Sequence, residues 1–201
     1  MPRPKQRTPE LRGRLLAAAV GALADDGVSG LTARRVASDA GTSVPAVYEL
    51  FGDKAGLVRA VFFEGFRMLR RHLDATAGAA GGREAVAQVV FALRSFIASN
   101  PVLARVMFER PFADFDPGPE ELAAGAAVRE FIVDRVSSAA DRGDLAGDPT
   151  DIAHVLIGLA LGLAAQESAG WLGSTSASAD RRWAVGTQAV LDGLAPAVSP
   201  P

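Results

Sequence analysis

Histidine and cysteine are the first residues to inspect for catalysis or metal binding, and this chain has few of them. It contains two histidines, His72 and His154, without metal-ligating neighbours at a suitable spacing, and no cysteine. A disulfide or a thiolate metal site is therefore excluded. The motifs H-E-x-x-H, G-x-x-x-x-G-K-[ST] and G-x-S-x-G are also missing. We expect no enzymatic activity, no metal and no cofactor. His72 is expected at the surface and His154 in a core or an interface, with contact to a small molecule as the alternative.

A second set of residues, between positions 32 and 54, suits the binding of DNA. Residues 42–46 are short and largely apolar, so at the start of a helix in the major groove they could approach thymine methyl groups closely. Cations nearby would neutralise backbone phosphates. The candidate DNA contacts are Thr32, Arg34, Thr42, Ser43, Val44, Pro45, Ala46, Tyr48 and Lys54.

The elements that would position these residues are two short helices joined by a tight turn. Thr32 can cap the first helix, and Gly41 suits the left-handed turn at its end. Thr42 or Ser43 can cap a second helix that runs to Phe51; Gly52 ends it and Asp53 caps the next. This layout over residues 32–51 is typical of a helix-turn-helix, whose second helix enters the major groove. An ordinary helical hairpin within a core is the alternative.

The same segment resembles a known family of bacterial regulators. Ala40-Gly41-Thr42-Ser43, followed by Tyr48, Phe51, Lys54 and Leu57, is similar to the N-terminal domain of the tetracycline-repressor-like (TetR) family. The similarity extends back through a first helix, roughly residues 9–25. It implies that Tyr48 and Lys54 touch phosphates, as Thr32 and Arg34 could also do. Glu49 and Leu50 replace residues that are more often basic or histidine in relatives.

The distribution of charge agrees with this interpretation. Residues 1–59 carry a net charge of +3 and residues 60–201 a net charge of −5, although the whole chain has −2. The start is the most basic part, with Arg3, Lys5, Arg7, Arg12 and Arg14. Such an arm could bind phosphates or the minor groove. A solvated, disordered terminus is the alternative, and both can hold if the arm orders on DNA.

The pattern of apolar residues predicts an all-α fold of about nine helices. We expect a helix-turn-helix DNA-binding domain over residues 8–58 and a helical effector-binding and dimerisation domain over 59–195, with flexible tails at 1–7 and 196–201. Apolar residues recur at helical spacing, and no run of about 20 uninterrupted apolar residues suggests a membrane span. We expect a soluble, cytoplasmic protein. The expected helices cover about 9–25, 33–40, 43–51, 53–77, 83–99, 101–109, 120–142, 149–169 and 179–194.

The second part of the chain resembles one subgroup of TetR C-terminal domains, named for a Trp, a His and a Gly in a late helix (WHG). Gly162 matches the glycine, whereas Ile157 and Leu161 stand at the Trp and His positions. Any role that the two missing residues have in relatives therefore does not transfer to this chain.

The run from Ile152 to Ala165 is apolar almost all round, so both faces of that helix are expected to be buried. Gly158 and Gly162, four residues apart, would let another helix approach closely. A central core helix in a monomer is the alternative. The resemblance favours a homodimer with a four-helix interface built from this helix and the last one. The expected interface residues are His154, Gly158, Gly162, Trp183, Val190 and Leu191.

Aromatic residues predict an apolar site in the second part of the chain. Phe62 and Phe66 share a helical face with Leu69 and Leu73. Ordinary core packing is the alternative, but the resemblance implies a hollow domain that binds a small apolar or amphipathic effector, and apolar walls suit such a site. The candidate pocket residues are Phe62, Phe66, Phe91, Met107, Phe108, Phe112 and Phe131.

These observations predict a transcriptional regulator that binds double-stranded DNA at an inverted repeat as a homodimer. The resemblance implies a repressor that a small-molecule effector releases, with no membrane partner. The alternatives are a helical ligand-binding or chaperone-like protein and a nucleoid-type DNA binder without effector control.

Overall fold

The computed structural model describes residues 9–76, 78, 81–109 and 119–196, apart from the side chains of residues 120, 121 and 124. Within these ranges the chain forms nine helices and no strand, as predicted. The helices are α1 (Pro9–Gly30), α2 (Ala33–Asp39), α3 (Val44–Phe51), α4 (Lys54–Thr76), α5 (Gly82–Ser99), α6 (Pro101–Phe108), α7 (Pro119–Asp141), α8 (Pro149–Ser168) and α9 (Ser176–Gly193).

Side-chain caps explain where several of these helices begin. Thr32 accepts a hydrogen bond from the backbone N–H of Arg35, and Asp53 accepts one from Gly56. The predicted caps at Thr32 and Asp53 are therefore confirmed, and Asp148 likewise accepts from two backbone N–H groups at the start of α8. Ser43 lies at the N-cap position of α3 but forms no side-chain capping bond.

Two helix boundaries differ from the prediction. The first helix continues to Gly30, five residues beyond the expected end, through a break in helical geometry at Gly27. The last helix begins at Ser176 rather than near residue 179, because Thr175 caps it by accepting a hydrogen bond from Ser178 N–H at 3.2 Å. The sequence signal missed there is the hydroxyl cap.

The described residues form two compact units. Unit 1 contains those within Met1–Arg67 and Asn100–Leu122, and unit 2 those within Met68–Ser99 and Ala123–Pro201. In unit 1, α1 packs against α2 and α6, and α2 packs against α3. The predicted division at residues 58 and 59 follows the helix-turn-helix motif, whereas the compact units divide within α4. Unit 1 includes α6 because that helix packs on α1.

Unit 2 is held together by apolar packing and by a partly buried ion-pair network. Helix α5 packs on α8 and α9, which also pack on each other. Arg94 of α5 donates two hydrogen bonds to Glu167 of α8, at 3.0 and 2.6 Å, and pairs with Asp180 of α9 at 2.7 Å. The indole N–H of Trp183 donates to Glu167 at 2.7 Å. One guanidinium therefore joins three helices.

Candidate DNA-binding site

The turn between α2 and α3 has the geometry that the sequence predicts. Gly41 adopts a φ of 64°, and the backbone N–H of Thr42 donates to Ala37 C=O at 2.9 Å. A side chain at position 41 would be strained in this left-handed conformation. Pro45 lies in the first turn of α3, where the absence of its N–H leaves no helical hydrogen bond unmade. These features fix the direction in which α3 leaves α2.

One face of α3 anchors the helix and the other is open to solvent. Val47 and Phe51 are buried in unit 1, and the guanidinium carbon of Arg12 lies 5.5 Å from the centre of the Phe51 ring. Tyr48, by contrast, is 50% exposed. The residues at the start of the helix are exposed or half-buried, namely Thr42, Ser43, Val44, Pro45 and Ala46.

Four of the predicted DNA-contact residues lie around one surface groove. The groove has a volume of about 370 Å³ and is lined by residues of α2 and α3 and the Thr32 cap. Its lining consists of Thr32, Ala33, Arg34, Val44 and Tyr48. A hydroxyl, a guanidinium and a phenol thus line the groove together with two small apolar side chains. This combination suits a partner with both anionic and methyl groups on its surface.

The cations of this unit are of two kinds. Arg34 and Lys54 are exposed, and neither forms an ion pair within the described part of the chain. The adjacent Arg35 instead pairs with three carboxylates, those of Asp25, Asp26 and Asp39, at 3.0, 2.8 and 2.5 Å. The hydrogen bond to Asp39, followed by its negative charge, raises the pKa of Arg35. Arg35 therefore fastens α2 to the end of α1, and Arg34 and Lys54 remain able to meet an external anion.

A glycine that the sequence analysis did not single out sets the corner between α3 and α4. A Cβ atom at Gly56 would lie 1.9 Å from the carbonyl oxygen of Phe51. No side chain fits there unless the backbone moves, so Gly56 permits the close approach that positions Lys54. The helical signal around Gly56 resembles that of any helix start. The approach appears only in the folded structure.

The outer face of α8 is exposed in one protomer, and its burial in a dimer interface stays a prediction. Ile152, Leu156 and Ala160 face the core, because only this side packs on α5 and α9. The other side exposes Gly158 and Gly162, and a Cβ at either position would meet no atom within 4 Å. The predicted interface residue His154 is also exposed, with its Nδ1–H donating to Thr150 C=O at 2.8 Å.

Two of the predicted interface residues are core residues of unit 2. Trp183 and Leu191 are 0% and 2% exposed in a single protomer. Both side chains therefore pack inside their own protomer, and their contact with a second protomer stays a prediction. Val190 is half-buried on the same helix. Trp183 instead serves the ion-pair network, with the Arg94 guanidinium 5.3 Å from its ring centre.

The predicted pocket residues divide between the two units. In unit 1, Phe66 lies 4.9 Å from Phe62 and 5.7 Å from Phe108, measured between ring centres. Met107 fills the space beside Gly65, so these residues pack on one another. In unit 2, Phe131 is buried, whereas Phe91 is 38% exposed and lies at the protomer surface. Phe112, like the basic arm at residues 1–7, lies outside the described residues.

Comparisons with known proteins agree with this arrangement. The model described as "Bacterial regulatory proteins, tetR family" matches residues 15–61, and "Tetracyclin repressor-like, C-terminal domain" matches residues 86–190. No curated protein sequence matches the chain. A helix-turn-helix unit with an exposed recognition surface, joined to an all-helical second part, defines a bacterial DNA-binding regulator. The chain belongs to the TetR family.

Solved structures share the fold over nearly the whole chain. A protein of unknown function from Rhodococcus sp. RHA1 has 29% identity and a TM-score of 0.82, covering 97% of this chain and 100% of that one. A tetR-family regulatory protein from Rhodococcus RHA1 has 21% identity and a TM-score of 0.67, with 95% and 100% coverage. A TetR variant from Acinetobacter baumannii AYE in complex with minocycline has 16% identity and a TM-score of 0.59, with 90% and 94% coverage.

Membership of the family confirms the predicted class of protein. TetR-family regulators are DNA-binding transcription factors rather than enzymes. The C-terminal match confirms a TetR-type second domain, and the WHG subgroup remains a prediction. Among the described helices, α8 has the length and mean hydropathy of a membrane span, and α5 and α6 pass the same test as a bent pair; core helices of soluble proteins share this property.

Proposed function

We propose that this regulator binds an inverted-repeat operator as a homodimer and represses transcription until a small molecule releases it. The observation that carries the DNA-binding part is the surface of α2 and α3. There, Arg34 lines a groove together with hydroxyl, phenol and small apolar side chains, and neither Arg34 nor Lys54 forms an ion pair within the described residues. DNA phosphates would supply the negatively charged partners that these cations do not have in the described part of the protein. The start of a helix in the major groove meets base edges.

The residues on this surface divide between two kinds of contact. Thr42, Ser43, Val44, Pro45 and Ala46 lie nearest the base edges and contact thymine methyl groups, since none of them is long enough for a bidentate fork. Tyr48, Lys54, Thr32 and Arg34 contact phosphates and set the register of the protein on the duplex. This division makes sequence preference a property of the α3 turn and salt dependence a property of the cations.

The substitution Lys54→Ala tests this division. It should weaken binding to every duplex and reduce the slope of log affinity against log salt concentration by about 0.9, the contribution of one phosphate. The measurement is fluorescence anisotropy at several salt concentrations, on an inverted repeat obtained by selection from random duplexes and on a scrambled control. A changed sequence preference at an unchanged salt slope would contradict the assignment of Lys54.

The homodimer is supported by the outer face of α8 and α9. Val155 and Val185 are 51% and 62% exposed, and together with Trp171 they make up three of the six large hydrophobic residues exposed within the described ranges. Between Val155 and Gln166, α8 carries no charged residue. A copy of the same face would cover this surface and supply the two-fold symmetry that paired half-sites require.

Effector control is supported by the fold and by helix α4, which has residues in both unit 1 and unit 2. The variant from Acinetobacter baumannii holds minocycline, and we propose that unit 2 of this chain likewise binds a small molecule. Helix α4 begins at Lys54, within the DNA-binding surface, and ends at Thr76. A displacement of this helix would alter the spacing of the two recognition helices, and a coupling of about 1–3 kcal/mol suffices for control.

The effector part of the proposal is tested independently of the DNA-binding part. Small molecules are screened for thermal stabilisation of the protein, and operator affinity is then measured with and without each stabilising molecule. The proposal expects at least one molecule to weaken operator binding about tenfold or more. If every stabilising molecule leaves operator affinity unchanged, α4 is not a switch and a nucleoid-type DNA binder becomes the better description.

A further inference from the structure

A small cavity in unit 2 lies between the end of α4 and helices α5 and α7. Its floor is apolar and buried, formed by Leu73, Ala85, Val89 and Phe131. Its rim is polar, formed by Thr76, Gln88 and Arg135. The enclosed volume is about 10 Å³, enough for about one water molecule. A larger guest enters only if side chains at the rim move aside, and the half-buried Gln88 and Arg135 are long enough to do so.

Arg135 is the unusual member of this rim. Its guanidinium carbon lies 5.0 Å from the centre of the Phe131 ring, and the side chain is half-buried. Arg70 also lies over that ring, at 4.7 Å, but pairs with Asp74 and donates to Ala127 C=O. Within the described residues Arg135 pairs with no carboxylate. Among the described residues, the cavity therefore has one cation that no carboxylate pairs with.

We infer that this cavity is the effector subsite and that it takes a small amphipathic monocarboxylate. A guanidinium presents two parallel N–H groups that match the two oxygens of a carboxylate, and one free cation matches one negative charge. The apolar body of the ligand lies against Leu73, Val89 and Phe131, which line the cavity, once the side chains at the rim have moved aside. This inference rests on the proposed role of unit 2 in effector binding and specifies the chemical class of the effector.

Three probes of matched length and different head groups test the charge preference. These are hexanoate, 1-hexanol and hexylammonium, and the readouts are isothermal titration calorimetry and thermal stability of the full chain. The inference expects hexanoate to bind at least about tenfold more tightly than hexanol, the difference of one charge-assisted hydrogen-bonded pair. Hexylammonium should bind more weakly than hexanol, because it brings a second cation to Arg135.

Arg135→Met should remove the preference for hexanoate over hexanol, since it keeps an unbranched apolar stem and deletes the charge. Arg135→Lys should restore part of the preference, and it also guards against a folding defect in the first variant. Arg129→Met is the matched control, because it removes the same charge from the same helix away from the cavity and should leave the preference intact.

The outcomes separate this inference from the proposed function. Equal affinities for the three probes in the wild type, or an undiminished hexanoate preference in Arg135→Met, would overturn the carboxylate site. Neither result touches operator binding, which is measured on the same samples without a probe. An Arg135-dependent preference supports the site. Weaker operator binding in the presence of hexanoate then assigns the site to control.

Discussion

The exposed face of α2 and α3 in unit 1 and the exposed face of α8 and α9 in unit 2 differ in how they meet solvent. Within the described residues, the first presents Arg34 and Lys54 without carboxylate partners, and Arg34 lines a groove with Tyr48 and small side chains. The second presents valines and glycines along a stretch of α8 without charge. A surface with unpaired cations suits a polyanion, and a surface with uncovered apolar groups suits a copy of itself. The same chain thus builds two interfaces from different physical forces.

The largest expected effect comes from breaking the apolar face while leaving unit 1 untouched. Gly158→Leu adds a side chain where the protomer has open space, so the protomer should fold. A dimer would be overpacked at a cost of about 1–3 kcal/mol. Operator affinity should fall about 100-fold or more, because each half-site is then bound alone. Sedimentation at micromolar concentration and anisotropy on the selected repeat measure both effects.

Gly21→Leu is the matched control for this experiment, since it also fills open space on a helix, in unit 1. It should leave the oligomeric state unchanged. A Gly158→Leu protein that is monomeric and still binds the repeat as tightly as the wild type would show that the α8 and α9 face is not required for DNA binding.

The next effect tests whether the corner at Gly56 holds the cationic surface in place. Gly56→Ala should lower stability by about 1–3 kcal/mol, because its Cβ would press against the Phe51 carbonyl oxygen. An exposed helical Gly→Ala change without such a contact normally stabilises by about 1 kcal/mol. Gly13→Ala on α1, which meets open space, should show that normal sign. Thermal unfolding of both variants decides, and stabilisation by Gly56→Ala would contradict the close approach.

A slightly smaller effect tests the structural use of a cation in unit 2. Glu167→Gln should cost about 2 kcal/mol of stability, since it weakens charge-assisted hydrogen bonds to a mostly buried Arg94. Those hydrogen bonds from Arg94, followed by the one from Trp183, lower the pKa of Glu167 against an opposing effect of burial. The contribution of Glu167 to the stability of the folded state is therefore complete above its unfolded pKa of about 4.3. It is lost as the pH falls through the lower pKa of the folded state.

Urea unfolding of the wild type and Glu167→Gln between pH 7 and pH 3 measures this contribution. The difference in the free energy of unfolding between the two proteins should be constant near pH 7 and should shrink below about pH 4. A difference of the same size at both ends of the range would mean that the charge of Glu167 does not stabilise unit 2.

The smallest effect sharpens the contrast within unit 1, because it compares two adjacent arginines. Arg34→Ala should weaken DNA binding severalfold and reduce the salt slope by about 0.9, without loss of stability. Arg35→Ala should lower the melting temperature, since it removes three ion pairs. Two of them join α2 to Asp25 and Asp26 at the end of α1, and the third is with Asp39 within α2. The salt slope of this variant should stay that of the wild type. The reverse pattern would exchange the roles assigned to the two residues.

The sequence predicted the parts of this molecule that depend on local chemistry. The caps at Thr32, Asp53 and Asp148 were predictable, because a hydroxyl or carboxylate before a helix acts on the nearest backbone N–H groups. The turn at Gly41 was predictable because glycine adopts the left-handed conformation that this turn requires. The fold class followed from the helical spacing of apolar residues. These signals need no knowledge of which helices meet.

Features that depend on tertiary contacts were not predictable from the pattern alone. Trp183 and Leu191 lie on the last helix among polar and apolar neighbours, and the sequence does not say which face meets α5. Arg34 and Arg35 are chemically identical neighbours. Asp39, four residues after Arg35, favours a pair with Arg35, but the pairs with Asp25 and Asp26 appear only in the folded unit. The approach of Gly56 to Phe51 is likewise invisible until the α3–α4 corner is built.

The most direct test of the account is a selection of bound duplexes from a random pool by the full-length protein. The account predicts an inverted repeat whose half-sites are centred about one helical turn apart, roughly 10 base pairs. Thymines should be enriched where the first turn of α3 reads the major groove. The same selection with Gly158→Leu should lose the paired repeat. A wild-type pool without enrichment, or with a single asymmetric site, would contradict a dimeric sequence-specific regulator.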